Sequence, residues 1–151
     1  MRYITAFSFM LLVVLIVFDA TNRYLFSNGS TAIQELQWHL FDVVILFSIA
    51  YTFRHNSHVR VDILYDKFSK KTQIFIDMVA IVFFVLPLSL LIVYMGFHFT
   101  ELSFVQNEAS SDPGGLPYRW IVKSFMPLAF VFVIFEALKE LKSSFKRWSR
   151  L

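Results

Sequence analysis

One stretch limits the possible folds of this chain more than any other: the run from Met78 to Thr100, which is strongly apolar and carries no Asp, Glu, Lys or Arg. A helix rises about 1.5 Å per residue and the hydrocarbon core of a bilayer is about 30 Å thick, so roughly 20 apolar residues cross it. Of the 151 residues, 57% are hydrophobic and 17% are charged. Soluble domains carry about 25% charged residues, so the sequence predicts a membrane protein.

Four segments are long and apolar enough, and they predict an all-α membrane protein with four transmembrane helices in a single membrane domain. The predicted spans are approximately residues 3–26, 33–53, 76–100 and 120–138. The remaining parts are a link at 54–75, a loop at 101–119 and a basic tail at 139–151. In the link, apolar residues recur at helical spacing beside lysines, which predicts a short amphipathic surface helix between spans 2 and 3.

The distribution of basic residues predicts the orientation of the spans. Eleven of the fourteen Lys and Arg residues lie before span 1, in the link or in the tail, and the other three are Arg23, Arg119 and Lys123. Cytoplasmic segments are enriched in Lys and Arg, so both termini are expected in the cytoplasm. The basic excess then faces anionic lipids, and no nucleic-acid partner is expected. Residues 1–32 also fit a cleavable signal peptide, but the apolar stretch continues past Asp19 and favours a retained span.

Composition also excludes several functions. The chain contains no cysteine, so thiol nucleophiles and Cys-ligated metals are ruled out. We expect the acidic residues to lie near the interfaces rather than deep within the bundle, where a free-standing exporter would need one. The four glycines and nineteen phenylalanines predict bulky, smooth helices that suit a lipid-facing support or a partner-binding wall. We therefore expect no catalytic or substrate-binding residue, no metal and no cofactor, and we predict a subunit of a larger assembly.

Two groups of polar residues allow an alternative interpretation. Glu35, His39 and Asp42 share one face of span 2, which is compatible with a metal site or proton relay. We favour the interpretation that these three side chains lie near the membrane interface, where water or a partner helix forms their hydrogen bonds. The reason is that no second Glu-x-x-His element is present to complete a carboxylate metal site. His39 and His98, on adjacent spans, would suit a single haem in an electron-transfer subunit. The absence of a second histidine pair favours interfacial histidines instead.

Three stretches match one family: Arg23-Tyr24-Leu25-Phe26, Glu35-Leu36 and His58-Val59-Arg60-Val61-Asp62. On these, and over essentially its full length, the chain resembles the small membrane (Q-type) subunit of TRAP (tripartite ATP-independent periplasmic) transporters. The turn at 112–117 and Met126-Pro127 resemble a subgroup of the family.

The resemblance implies a sodium-driven importer of organic acids in the bacterial inner membrane. A periplasmic solute-binding protein would deliver the solute, and a large membrane subunit would carry the sodium and substrate sites. The small subunit would act as a scaffold for the large one, in contact with membrane lipids. Candidate partner-interface residues are Arg23, Glu35, His58, Arg60 and Asp62. The alternative role of Asp62 is to cap the surface helix.

Overall fold

The computed structural model describes residues 2–54 and 68–149. All regular secondary structure in these residues is helical, and four helices are long and apolar enough to cross a membrane. This confirms the all-α class. The elements are α1 (Arg2–Phe26), α2 (Thr31–Arg54), α3 (Lys70–Ala80), a π-helical turn (Ile81–Val85), α4 (Leu86–Val105) and α5 (Trp120–Trp148).

The third and fourth spanning helices are longer than the predicted spans. The third spanning helix is continuous from Lys70 to Val105 and comprises α3, the π-helical turn and α4. The fourth is α5, which ends at Trp148 rather than at residue 138. At its start, the side chain of Ser69 caps the helix by accepting a hydrogen bond from the amide of Thr72, at 3.2 Å. The apolar residues that predict the surface helix run from Ile63 to Phe75. Residues 63–67 lie outside the described residues, and residues 70–75 belong to the helix that continues into the third span.

A four-residue connection reverses the chain between α1 and α2. Ser27 takes a left-handed conformation with φ of 51°, so the right-handed helix α1 ends at the residue before it. The amide of Asn28 then donates to the carbonyl of Asn22 at 3.3 Å. Further along the pair, Nε2 of Gln37 on α2 donates to the carbonyl of Leu15 on α1 at 3.2 Å.

The helices lie side by side in an open row. α1 packs against α2, α2 packs against α5, and α5 packs against α3 and α4. Among the described residues, α1 has no extensive contact with α4 or α5. In the most apolar window of each candidate span, only 6% to 22% of the residues are buried by the chain itself. The row therefore leaves both of its broad surfaces for lipid or for a partner.

A stripe of small residues brings α4 close to α5. Ser89, Gly96 and Ser103 recur every seven residues on α4, and all three are buried. A Cβ atom at Gly96 would lie 3.1 Å from Cδ of Pro127, which shows how closely the two backbones approach. The expectation of smooth, bulky helices is therefore wrong for this face of α4, because small residues at heptad spacing allow the contact.

The two ends of the row differ in what holds them together. We call the end with residues 27–30 and 106–119 the loop end, and the opposite end the terminal end. Near the terminal end, Ile81, Val133 and Ala137 form a buried apolar cluster. The π-helical turn lies here as well, and the amide of Leu86 donates to the carbonyl of Ile81. This turn precedes Pro87, whose ring clashes with the carbonyl four residues before it in a regular α-helix.

Candidate functional site

The connection between α4 and α5 begins with a helix-ending motif. Asn107 has a left-handed φ of 47°, and its amide donates to the carbonyl of Phe104 at 3.1 Å. The amide of Glu108 donates to the carbonyl of Ser103 at 3.0 Å. These two bonds form a Schellman motif, which satisfies the last carbonyls of α4. The motif sets the path of the chain at Glu108, where the connection meets α5.

Glu35, near the start of α2, holds the middle of this connection. One carboxylate oxygen accepts a hydrogen bond from the amide of Leu116 at 2.6 Å, and the other accepts from the hydroxyl of Ser110. Ser110 also donates its amide to the carbonyl of Leu116 at 3.0 Å, which closes the segment into a compact turn. A Cβ atom at Gly115 would lie 3.0 Å from the Glu35 carboxylate and would overlap the side chain of Ser110. Only glycine fits at this position.

Glu108 and Lys123 form a second link across the loop end. Their side chains make an ion pair between the connection and α5. The Lys123 ammonium also lies 3.9 Å from the centre of the Phe99 ring on α4, a cation–π geometry. The hydrogen bond from Lys123 holds the pKa of Glu108 below its usual range. The amide of Arg119 donates to the carbonyl of Glu108 at 3.0 Å, so α5 begins against the same residue.

A cleft of about 580 Å³ lies beside these contacts, between α2, α4 and α5. We call it the loop-end cleft. Its polar lining comprises Glu35, His39, Asp42, Asp112, Arg119 and Lys123, and its apolar lining comprises Trp38, Ile45, Leu46, Phe99, Val122 and Met126. The prediction that Glu35, His39 and Asp42 share one helix face is confirmed, because all three line this cleft. The arrangement combines both signs of charge with an apolar wall.

The two histidines proposed as a haem pair are placed differently. His39 is half-buried in the loop-end cleft. His98 is exposed on α4 and is not among the lining residues of that cleft, and its Nδ1 lies 3.9 Å from the Glu101 carboxylate. Within the part of the chain that the structure describes, no three His, Cys, Asp or Glu residues are arranged to hold a metal ion. The structure thus does not bring the two histidines into one cavity.

The structure describes two of the candidate interface residues, Arg23 and Glu35. Arg23 forms an ion pair with Asp19 one turn earlier on α1, as their spacing predicts. Glu35 contacts the connection between α4 and α5. His58, Arg60 and Asp62 lie outside the described residues.

Sequence reasoning did not identify the contacts that assemble the loop end. The ion pair between Glu108 and Lys123 joins residues on the two sides of the turn. The opposite charges of these two residues were the sequence feature that could have indicated the pair. Ser110 contacts Glu35 from 75 residues away in the chain, and no local pattern indicates such a contact. The turn signal at 112–117 correctly indicated a tight reversal, where the amide of Gly115 donates to the carbonyl of Asp112 at 3.0 Å.

Comparison with known families gives one match over most of the chain. Residues 12–147 match a family model described as Tripartite ATP-independent periplasmic transporters, DctQ component. No individual curated protein matches the sequence.

Proposed function

Because the chain belongs to the DctQ family of TRAP transporter components, we propose that it is the small permease subunit of a sodium-coupled importer. In this role it acts as a scaffold for the large membrane subunit. The imported solute is an organic acid that a periplasmic binding protein delivers. The family match supports the transporter assignment, and the shape of the chain supports the scaffold role.

The open row of helices is the observation that carries the scaffold role. A transporter that acts alone encloses a solute path between its helices, whereas α1 packs against α2 at one end of the row and α4 packs against α5 at the other. The lining of the loop-end cleft extends from the loop end as far as Leu46, just past the middle of α2. Sodium and solute are therefore assigned to the large subunit, and this chain supplies a broad apolar surface against it.

The charge distribution supports an orientation in the bacterial inner membrane. Three of the fourteen Lys and Arg residues, Arg23, Arg119 and Lys123, belong to the loop end. The positive-inside bias then places the loop end in the periplasm and both termini in the cytoplasm. In this orientation, the connection at 106–119 faces the binding protein.

Affinity purification tests the assembly directly. A tagged copy, expressed in its host and extracted in mild detergent, is expected to recover one large polytopic membrane protein in a fixed ratio. Recovery of the chain alone, or together with a redox complex, would contradict the proposal. A Soret absorbance band in the purified sample would support the electron-transfer alternative with His39 and His98.

Uptake measurements test the transport role and the sodium requirement. Cells that express this chain, the large subunit and the binding protein should accumulate a labelled organic acid only in the presence of a sodium gradient. Cells that express this chain alone should show neither uptake nor efflux. Efflux by the single chain would support a free-standing exporter and would overturn the scaffold role.

A further inference from the structure

Of the carboxylates that line the loop-end cleft, Asp42 lies farthest from the loop end, on α2. It lies seven residues after Glu35 on α2, about 10 Å further along the helix axis, and it is half-buried. Among the described residues, no hydrogen bond or ion pair reaches its carboxylate. Its titratable neighbour is His39, one turn away.

Of the other charged groups that line the cleft, Asp112 is exposed on the connection, and Glu35 and Lys123 are engaged. Both carboxylate oxygens of Glu35 accept hydrogen bonds from the connection. Lys123 is paired with Glu108 and lies over the Phe99 ring. Arg119 lies close enough to interact electrostatically with both Glu35 and Glu108. Among the described residues, neither Arg119 nor Lys123 forms an ion pair with Asp42.

An uncompensated carboxylate is costly within a membrane span, and such residues normally face a cation or an aqueous cavity. The neighbouring lining suits a cation on an apolar stem. Trp38, with 67% of its surface exposed, lies in the wall of the cleft, and its ring meets Phe41 edge-on at 6.0 Å. Aromatic faces attract guanidinium and ammonium groups, and Ile45 and Leu46 provide the apolar part of the wall.

We infer that the loop-end cleft receives an Arg or Lys side chain from a membrane-embedded helix of the large subunit, and that this cation pairs with Asp42. The inference rests on the proposed function, since it assumes that a large subunit is present. The partner's helix covers the exposed face of Trp38, and its apolar residues pack on Ile45 and Leu46.

Photo-crosslinking locates the occupant of the cleft. The chain has no cysteine, so Trp38→Cys supplies a unique attachment point for a benzophenone maleimide in the intact complex. We expect a crosslinked peptide from an apolar segment of the large subunit that contains Arg or Lys. The control is Phe97→Cys, an exposed position on α4 (68% of its surface) outside the cleft, which should not give the same peptide.

Substitution of Asp42 tests the pairing itself. Asp42→Asn removes the charge at nearly constant shape and should weaken retention of the large subunit about 30-fold or more, as for other buried charge pairs that lose one partner. Asp42→Glu should restore most of the retention. The control, Glu101→Gln, removes an exposed carboxylate of α4 outside the cleft and should leave retention unchanged.

The outcomes separate this inference from the proposed function. If the unmodified chain recovers no large membrane protein, the proposed function fails first. If it recovers one but Asp42→Asn retains it as well as Glu101→Gln does, the pairing is wrong and the function stands. A crosslink from position 38 to phospholipid alone would also overturn the inference, because a lipid headgroup would then occupy the cleft.

Discussion

The loop end and the terminal end of the row use different interactions to hold the same helices together. At the loop end, polar contacts join separate elements: Glu35 of α2 binds the connection, and Glu108 of the connection binds Lys123 of α5. At the terminal end, the ion pairs of α5 stay within that helix, as Arg147 with Glu140 shows. There, different helices meet through apolar packing around Ile81.

This difference indicates which end of the chain has a fixed geometry before a partner binds. Hydrogen bonds between elements fix a relative position, and ion pairs within one helix leave that helix free to move as a unit. The loop end can therefore present a defined cleft to a partner. The terminal end depends on close packing, which is sensitive to side-chain volume.

Removal of volume at the terminal end should have the largest effect. Ile81→Ala leaves a cavity beside Val133 and Ala137 and should lower the free energy of unfolding by about 2–3 kcal/mol. Reversible unfolding in mixed micelles measures this change. Val82→Ala is the matched control, because Val82 is 41% exposed, and it should have little effect. Equal losses for the two variants would show that the cluster does not hold the terminal end.

The loop end should respond to a single added methyl group. Gly115→Ala places a Cβ against Ser110 and the Glu35 carboxylate, so the connection must leave its anchor. We expect cleavage of residues 106–119 by a nonspecific protease to become several-fold faster, with the helices intact. Gly29→Ala controls for the substitution, since a Cβ there meets no atom within 4 Å. Unchanged cleavage of Gly115→Ala would contradict the anchoring role of Glu35.

The ion pair between Glu108 and Lys123 should give the loop end a dependence on pH. Since the pair lowers the pKa of Glu108 in the folded chain, its contribution is present above the usual carboxyl range. That contribution is lost as the pH falls through the lowered pKa. The connection should therefore be more protease-resistant in the unmodified chain than in Glu108→Gln at neutral pH, and the two should converge in strong acid. A difference that persists in strong acid would exclude the ion pair as its cause.

The ion pair of Arg147 with Glu140 should matter least. It joins two exposed or partly exposed side chains of one helix, and such pairs contribute about 0.5 kcal/mol or less. Arg147→Gln should therefore leave the unfolding free energy nearly unchanged in the same micelle assay. A loss as large as that of Ile81→Ala would show that this residue contacts another element.

Local patterns predicted the helices well and their arrangement poorly. The apolar runs located all four long helices, because hydrocarbon thickness sets their length. The order of the helices in the row depends on which helix faces approach each other. The heptad stripe of Ser89, Gly96 and Ser103 brings α4 to α5, but it does not stand out in a sequence with only four glycines. Spacing correctly put Glu35 and Asp42 on one face, but their different environments arise from the connection, which is distant in sequence.

The mass of the intact complex tests the central claim most directly. Native mass spectrometry of the tagged chain, extracted from its host membrane in mild detergent, measures what the open row binds. We predict a species whose mass is that of the 17.7 kDa chain plus one large membrane protein, with the chain released when the micelle is disrupted. A species at the mass of the chain alone, or at whole multiples of it, would contradict the scaffold role.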